Sequence, residues 1–252
     1  MDCNGKTGSM DPETGSMYIP HVQEGIMARV SLTTKTYDRV AMPPNIHIEE
    51  SHLHNFAWST AQRQLIMIEA TEGPLGQVKP FNAYSYSVEH GWKNISKRMK
   101  GQVPRSRRNS CFVPAYGGSK MILFGGDTIG SLATLSDIYV LDIATLTWTR
   151  GTNVAKKGQR GDAACAVSND QFISWGGLNM DTGKIASSTV VYNIKTNRWT
   201  KAYIAAPHTP TGTRHGTPEP RNYYVASFPT SSSTPSTLQK AYQSTPQGSP
   251  LL

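Results

Sequence analysis

Two stretches in the middle of the chain repeat one pattern of apolar runs, glycine pairs and tryptophan. The first places Gly125-Gly126 after the apolar residues 121–124, and the second places Gly176-Gly177 after residues 172–175. Trp148 and Trp199 follow at matching positions, so the glycine pairs and the tryptophans are both 51 residues apart. A fixed period of this length is typical of architectures in which similar units stack and bury a shared core.

Each repeat contains four short apolar or β-branched runs that are separated by turn residues. This pattern predicts a four-stranded antiparallel sheet in each unit. Glycine after a buried strand predicts a positive φ or a close backbone approach, and tryptophan on the last strand can wedge between adjacent sheets. The residues that we expect to define the repeat are Gly125, Gly126, Trp148, Gly176, Gly177 and Trp199.

The repeat resembles the kelch family, which includes galactose-oxidase-like propellers. The resemblance is clearest over residues 104–207 and weaker before them, where Glu69-Ala70 replaces one glycine pair and the first unit lacks the tryptophan. It implies an all-β fold, a kelch-type β-propeller of about four recognisable four-stranded blades. The blades are predicted near residues 1–48, 52–103, 104–155 and 158–207, and whether the ring is complete stays open.

The chain after the last repeat differs in composition from the blades. Residues 208–228 are predicted to be a connector, in which residues 220–228 are similar to residues 104–113 at the entry to a blade. This segment is a candidate closing strand that either joins the first blade or begins a fifth. Residues 229–252 are rich in Ser, Thr, Pro and Gln, and we expect them to be a disordered tail because they cannot bury a core.

The formal net charge of +8 is unevenly distributed along the chain. Residues 93–108 contain six Lys/Arg residues after Lys93 and no acid, which suits either a solvated loop or a site for acidic ligands. The solvated loop is the favoured interpretation. Nucleic acid is not an expected partner, since aromatic residues do not alternate with these basic ones.

The three cysteines are too few and too widely spaced for a disulfide framework or a zinc motif. Cys111 and Cys165 fall at similar places in successive repeats, and equivalent strands are expected to lie beyond the ~7 Å Cα limit for a disulfide. Two free thiols are therefore predicted. His52 and His54 could share one side of a strand, but no further ligands accompany them, so no metal site is predicted there.

The sequence contains no GxSxG, P-loop, GxGxxG or HExxH motif, which argues against an enzyme. The resemblance implies a scaffold without cofactor that presents blade loops, here residues 127–136 and 178–188, to a protein partner. Candidate binding residues are Asp127, Asn179, Asp181, Arg105 and Arg160. Two alternatives remain open: a galactose-oxidase-like or sugar-active propeller enzyme, and a binder of acidic ligands through residues 93–108.

The ends and the apolar runs of the chain bear on its location. Residues 1–6 are polar and do not resemble a signal peptide, and runs such as residues 121–124 are too short to cross a bilayer. The expectation is a chain without a membrane segment, cytoplasmic by default.

Overall fold

The structure is a computed structural model that describes residues 8–44, 46, 54–71, 80–129, 133–200 and 202–204. The candidate closing strand at 220–228, the predicted tail at 229–252 and His52 lie outside the described residues.

The described chain forms four successive sheets, which we call blades 1 to 4, and each is built on four antiparallel strands. Blade 1 consists of β1 (Ser9–Asp11), β2 (Ser16–His21), β3 (Ile26–Ser31) and β4 (Thr36–Ala41). Blade 2 consists of β5 (His54–Ser59), β6 (Gln64–Glu69), β7 (Asn82–Ser87) and β8 (Gly91–Asn94). In both blades the strands pair in chain order.

Blades 3 and 4 contain the two repeats that are clearest in sequence. Blade 3 consists of β11 (Cys111–Ala115), β12 (Lys120–Phe124), β14 (Ile138–Asp142) and β15 (Thr147–Arg150), with β9 (Lys100–Gly101) parallel to β15. Blade 4 consists of β16 (Ala164–Ser168), β17 (Gln171–Trp175), β20 (Thr189–Asn193) and β21 (Arg198–Thr200). The predicted all-β fold with four recognisable four-stranded blades is confirmed.

In the part of the chain that the structure describes, two short strand pairs lie outside the blades, in the loops. They are β10 (Arg107–Arg108) with β13 (Asp127–Thr128), and β18 (Leu178–Asn179) with β19 (Lys184–Ile185). Within the described ranges, 3-10 turns cover Val22–Glu24, Ser96–Arg98 and Lys156–Gly158. No helix among the described residues is long and apolar enough to span a membrane.

Asp and Asn side chains close the tight turns between the third and fourth strands of blades 3 and 4. The Asp142 carboxylate accepts hydrogen bonds from the Thr145 backbone N–H and hydroxyl, both at 3.0 Å. In blade 4 the Asn193 side chain accepts from the Thr196 N–H at 2.8 Å. Such side chains satisfy turn donors that the sheet leaves unpaired, so both hairpins close in the same way.

Side chains alternate between the two faces of each blade because the strand period is two residues. The face toward the preceding blade is rich in aromatic residues: Trp58, Tyr84 and Tyr86 in blade 2, Tyr139 and Trp148 in blade 3, and Phe172, Tyr192 and Trp199 in blade 4. The face toward the following blade is mainly aliphatic: Ala57, Ile66 and Ile68 in blade 2, and Val113, Ile122 and Ile138 in blade 3. Three apolar cores therefore lie between successive blades.

The prediction of two free thiols is wrong, because Cys111 and Cys165 form a disulfide with Cα atoms 6.0 Å apart. Cys111 pairs with Phe124, the last residue of β12, whereas Cys165 pairs with Ser174, one residue before the end of β17. The two cysteines are thus offset by one position. A one-residue offset reverses the face of a strand, so both sulfurs enter the core between blades 3 and 4, where β11 and β16 pack together.

Candidate functional site

A buried arginine lies at the entry to each of blades 3 and 4, four residues before the first strand. Arg107 donates to the Gly125 carbonyl at 3.2 Å and forms a bidentate ion pair with Asp137. Arg160 donates to the Gly176 carbonyl at 3.2 Å and to the Ser188 carbonyl and hydroxyl at 2.7 and 3.3 Å. Each arginine therefore connects its entry loop with the first glycine of the pair and with the residue just before the third strand.

The partners of the two arginines differ in charge. Burial opposes ionisation of Asp137, but the hydrogen bonds and charge of Arg107 outweigh it and hold the pKa of Asp137 below its usual value. Arg160 forms no ion pair with any described residue, and burial lowers its pKa. Carbonyl dipoles and one hydroxyl solvate this cation among the described residues, so its role is to fix the loops.

The glycine pairs lie where one blade meets the entry loop of the next. Gly125 and Gly126 have φ values of 62° and 84°, and the Gly126 N–H donates to the Arg160 carbonyl at 2.9 Å. A Cβ on Gly125 would collide with the same carbonyl. Gly176 and Gly177 also have positive φ values, 70° and 89°. The close backbone approach at Gly125 and Gly126 leaves no room for a side chain.

Blade 2 lacks the glycine pair, and buried side chains make the contacts at the corresponding place. Glu69 extends β6 by one residue, opposite His54 and Asn82 in the neighbouring strands. Its carboxylate lies 3.3 Å from the His54 Nε2 and accepts from the Asn82 side chain at 2.9 Å. His54 and Glu69 are fully buried, so this histidine belongs to a structural pair within the blade.

Thr134 joins the loop between the second and third strands of blade 3 to the corresponding loop of blade 4. Its hydroxyl donates to Asp127 at 3.0 Å and accepts from the Met180 N–H at 2.7 Å. Its backbone N–H donates to Asp181 at 3.2 Å. Asp127 is buried, and burial raises its pKa despite hydrogen bonds from Asn109 and Thr134.

These two loops enclose a polar cavity of about 340 Å³, which we call the loop cavity. The wall contains residues from the entry loop of blade 3, both loops between second and third strands, and the segment that leads into blade 4: Arg105, Thr128, Thr134, Ser136, Asp137, Arg150, Asn153, Gln159 and Asp181. Few apolar side chains line it. The loop cavity therefore suits a polar ligand that is recognised by charge and hydrogen bonds.

Two exposed arginines face the loop cavity from different segments. Arg105 belongs to the entry loop of blade 3, and no hydrogen bond from its guanidinium to a described residue is formed. Arg150 ends β15, donates to Asn153 at 3.0 Å and lies 5.9 Å from the centre of the Tyr139 ring. Two carboxylates line the loop cavity with these arginines: Asp137, which forms its ion pair with Arg107 and also lies in the field of Arg105, and Asp181.

The predicted binding residues occupy different environments. Arg105 and Asp181 line the loop cavity, whereas Asp127 and Arg160 are buried and hold the loops. Asn179 accepts the Thr182 N–H at 3.2 Å, closing the tip of the blade 4 loop. Of the repeat residues, Trp148 is buried between blades 2 and 3, and Trp199 packs between blades 3 and 4.

Sequence reasoning missed Arg150, Asn153 and Gln159, which line the cavity from β15 and the segment after it. Their only sequence signal is their place at a connection between blades. The stretch 93–108 is likewise divided by the fold: Lys97, Lys100 and Arg105 are exposed, while Arg107 is buried.

Side chains of the usual metal-binding types are not grouped in the part of the chain that the structure describes. No group of three or more His, Cys, Asp or Glu side chains in the described ranges could hold a metal ion. Cys111 and Cys165 are joined to each other, so neither is available to ligate a metal or to form a thioether.

Comparisons with known proteins agree with this architecture. The chain is 30% identical to acyl-CoA-binding domain-containing protein 5 of Arabidopsis thaliana over 122 residues, which make up 47% of the chain and 17% of that protein. It superposes on the solved structure of YjhT with a TM-score of 0.57 and 12% identity, covering 81% of the chain and 66% of YjhT. The chain therefore spans only part of each.

A family model gives the assignment. The model described as the KLHDC2/KLHL20/DRC7 Kelch-repeats domain matches residues 73–225, more than half of the chain. Its range includes both glycine pairs, both buried entry arginines and the loop cavity. The chain therefore belongs to the kelch-repeat family, and its four blades, which pack around three apolar cores, have the form expected of that family.

Proposed function

We propose that the protein is a non-catalytic interaction module that binds an acidic segment of a protein partner in the loop cavity. The observation that carries the proposal is the convergence of Arg105 and Arg150, two exposed arginines from separate segments, on one polar cavity. Kelch propellers are in general protein-interaction scaffolds, which supports a protein as the partner.

Arginine is suited to this task because its planar guanidinium binds a carboxylate through two parallel hydrogen bonds. Arg150 is held by Asn153 and lies near the Tyr139 ring, so little side-chain entropy remains to be lost on binding. Arg105 extends from the entry loop of a blade whose second arginine, Arg107, is fixed by Asp137. The sheet thus positions the Arg150 guanidinium at the end of β15, and the entry loop presents Arg105 to the same cavity.

Gln159 adds a feature that suits a peptide. Its side-chain amide donates to the Thr134 carbonyl at 2.8 Å, which leaves the Gln159 Oε1 without a hydrogen-bond partner among the described residues. A buried acceptor of this kind is stabilised by a donor such as a peptide N–H. The wall therefore offers two cations for carboxylates and one acceptor for an amide.

The test uses a library of fluorescein-labelled peptides rich in Asp and Glu, with the same peptides carrying Asn and Gln as the reference. We expect the acidic peptides to bind more tightly, with an affinity that falls as salt increases. Arg105→Ala and Arg150→Ala should each weaken binding about ten-fold, which corresponds to loss of one charge-assisted pair of about 1.4 kcal/mol.

Lys93→Ala is the matched control, because Lys93 is an exposed cation on β8 and does not line the cavity. It should leave peptide affinity unchanged. Equal binding of the acidic and amide peptides, or an equal loss in all three variants, would show that the loop cavity is not the site.

A further inference from the structure

The outermost strand of blade 2 leads into an Asn-X-Ser sequence. Asn94 is the last residue of β8, and Ile95 and Ser96 follow it. This is the one place in the sequence where serine or threonine stands two residues after an asparagine. Such a tripeptide is the acceptor for N-linked glycosylation, which modifies asparagine at the surface of a protein. Three residues also match by chance, so the surroundings of Asn94 decide whether it is suited to the modification.

The fold fixes the inner part of this tripeptide and leaves the asparagine outside. Ile95 is 3% exposed and belongs to the core between blades 2 and 3. The Ser96 hydroxyl accepts from the Ala83 N–H at 2.8 Å, which anchors the turn to β7. Asn94 is exposed, and its side-chain oxygen accepts from the Ser96 N–H at 3.0 Å. The turn therefore holds the asparagine side chain at the surface in one defined conformation.

The Nδ2 atom of Asn94 is the group that a glycan would modify, and it is available. The hydrogen bond within the turn uses Oδ1, and Nδ2 donates to none of the described residues. In the described part of the chain β8 is the edge of its sheet, whereas β15 of blade 3 is flanked by β9. A sugar chain on Asn94 would therefore extend into solvent without displacing a neighbouring strand.

The disulfide between blades 3 and 4 bears independently on the compartment of the protein. Cys111 and Cys165 are 54 residues apart in sequence, and their link lies in the core between the two blades. Disulfides of this structural kind form and persist in oxidising compartments such as the secretory pathway and are rare in the cytosol. N-linked glycosylation belongs to the same pathway. Two features on different blades thus indicate one environment.

We propose that Asn94 is an N-glycosylation site and that the chain matures in the secretory pathway, instead of the cytoplasm expected by default from the sequence. The glycan donor is an oligosaccharide that a diphosphate joins to a membrane lipid. The new bond joins Asn94 Nδ2 to C1 of the first sugar, and the bond between C1 and the diphosphate breaks. The lipid diphosphate leaves, the amide releases one proton, and no atom is oxidised or reduced.

The direct test maps peptides of the full chain purified from the cells that make it. A glycosidase that releases N-linked glycans converts the modified asparagine to aspartate, and in water enriched in heavy oxygen the new carboxylate carries the label. We expect the label at residue 94 and a faster electrophoretic migration of the treated protein. Recovery of residue 94 only as unmodified asparagine would overturn the proposal.

Two variants, expressed in the same cells, separate glycosylation from the structure of the turn. Asn94→Asp keeps an oxygen that accepts from the Ser96 N–H but has no amide to modify, so it should fold and lose the glycan completely. Ser96→Thr keeps the hydroxyl and the acceptor sequence, so it should keep the glycan. Asn169→Asp is the matched control, because Asn169 is exposed and is not part of an acceptor sequence. A mobility shift on deglycosylation that persists in Asn94→Asp would contradict the site.

Peptide mapping of the same preparation without reduction tests the compartment. We expect the glycosylated molecules to contain Cys111 and Cys165 in one linked species. Glycosylated molecules with free thiols would support the site and contradict the disulfide. An unmodified Asn94 overturns the proposal in either redox state: with linked cysteines the acceptor sequence is unused in an oxidising compartment, and with free thiols the chain has stayed in a reducing one.

Discussion

At the scale of the residue, the loops of blades 3 and 4 depend on a few buried polar side chains. Arg107 and Arg160 each satisfy backbone carbonyls of the neighbouring glycine pair, and Thr134 connects Asp127 with the blade 4 loop. A buried polar group is costly unless its hydrogen bonds are made, so these contacts also specify one loop arrangement.

Asp137→Asn should destabilise the protein by about 3 kcal/mol, because it leaves the buried Arg107 without its counter-charge. The pKa of Asp137 is lowered in the folded state, so its ionised form contributes stability above the unfolded pKa of about 3.9. That stability is lost as the pH falls through the lower folded value. Urea unfolding from neutral to acidic pH should therefore show a smaller acid loss in the variant.

Asp38→Asn provides the comparison, since Asp38 pairs with Arg29 at an exposed site and should cost less than about 1 kcal/mol. Equal losses of stability in the two variants would contradict a special role for the Arg107–Asp137 pair.

Gly126→Ala should cost more than Gly91→Ala, although both glycines have a positive φ. The φ values are 84° and 64°, but a Cβ on Gly126 would collide with the Arg108 carbonyl, whereas nothing lies within 4 Å of one on Gly91. We expect about 1 kcal/mol for Gly91→Ala from the left-handed conformation alone and at least about twice that for Gly126→Ala. Thermal unfolding of the two variants measures the difference, and similar values would show that the close approach is easily relaxed.

At the scale of the element, strand register decides which side chains meet. The sequence repeats align Cys111 with Cys165, but the pairing of each strand within its own blade places them one position apart. Side chains on neighbouring positions of a strand point to opposite faces, so each sulfur points toward the other strand. The same register identifies Tyr37 of β4 as the counterpart of the later tryptophans.

The Cys111–Cys165 disulfide should stabilise the chain by about 2–4 kcal/mol, since it closes a long loop across two blades. The double variant Cys111→Ala/Cys165→Ala should unfold at a lower urea concentration than the oxidised parent. Reductant should lower the urea midpoint of the parent and leave that of the variant unchanged. Peptide mapping without reduction should recover the two cysteines in one linked species. Alkylation of both thiols in unreduced, denatured protein would show that the disulfide is not formed.

At the scale of the whole molecule, the apolar contacts that stabilise the fold lie mainly between neighbouring blades. Each sheet has two apolar faces, and the three cores form where an aromatic-rich face meets the mainly aliphatic face of the blade before it. Blades in such a series depend on their nearest neighbours, as units of repeat proteins do.

Phe124→Ala should destabilise the protein by about 3–5 kcal/mol, because the ring is fully buried between blades 3 and 4 and its removal leaves a cavity. Ile185→Ala is the matched change at an exposed apolar residue and should alter stability by less than about 0.5 kcal/mol. Chemical unfolding monitored by fluorescence separates the two. A small effect of Phe124→Ala would mean that blades 3 and 4 are stable without their shared core.

The amino-acid sequence alone determined the all-β repeat, because the 51-residue spacing between the glycine pairs and between the tryptophans of two units is readable without contacts, and weaker apolar runs before them indicated two further blades. It also pointed to Arg105 and Asp181, which line the loop cavity. Only the tertiary structure decided which loops share that cavity, that Asp127 and Arg160 are buried, and that Cys111 meets Cys165. The reason is physical: periodicity records which residues a unit repeats, whereas a one-residue shift between strands of different blades decides which side chains face each other.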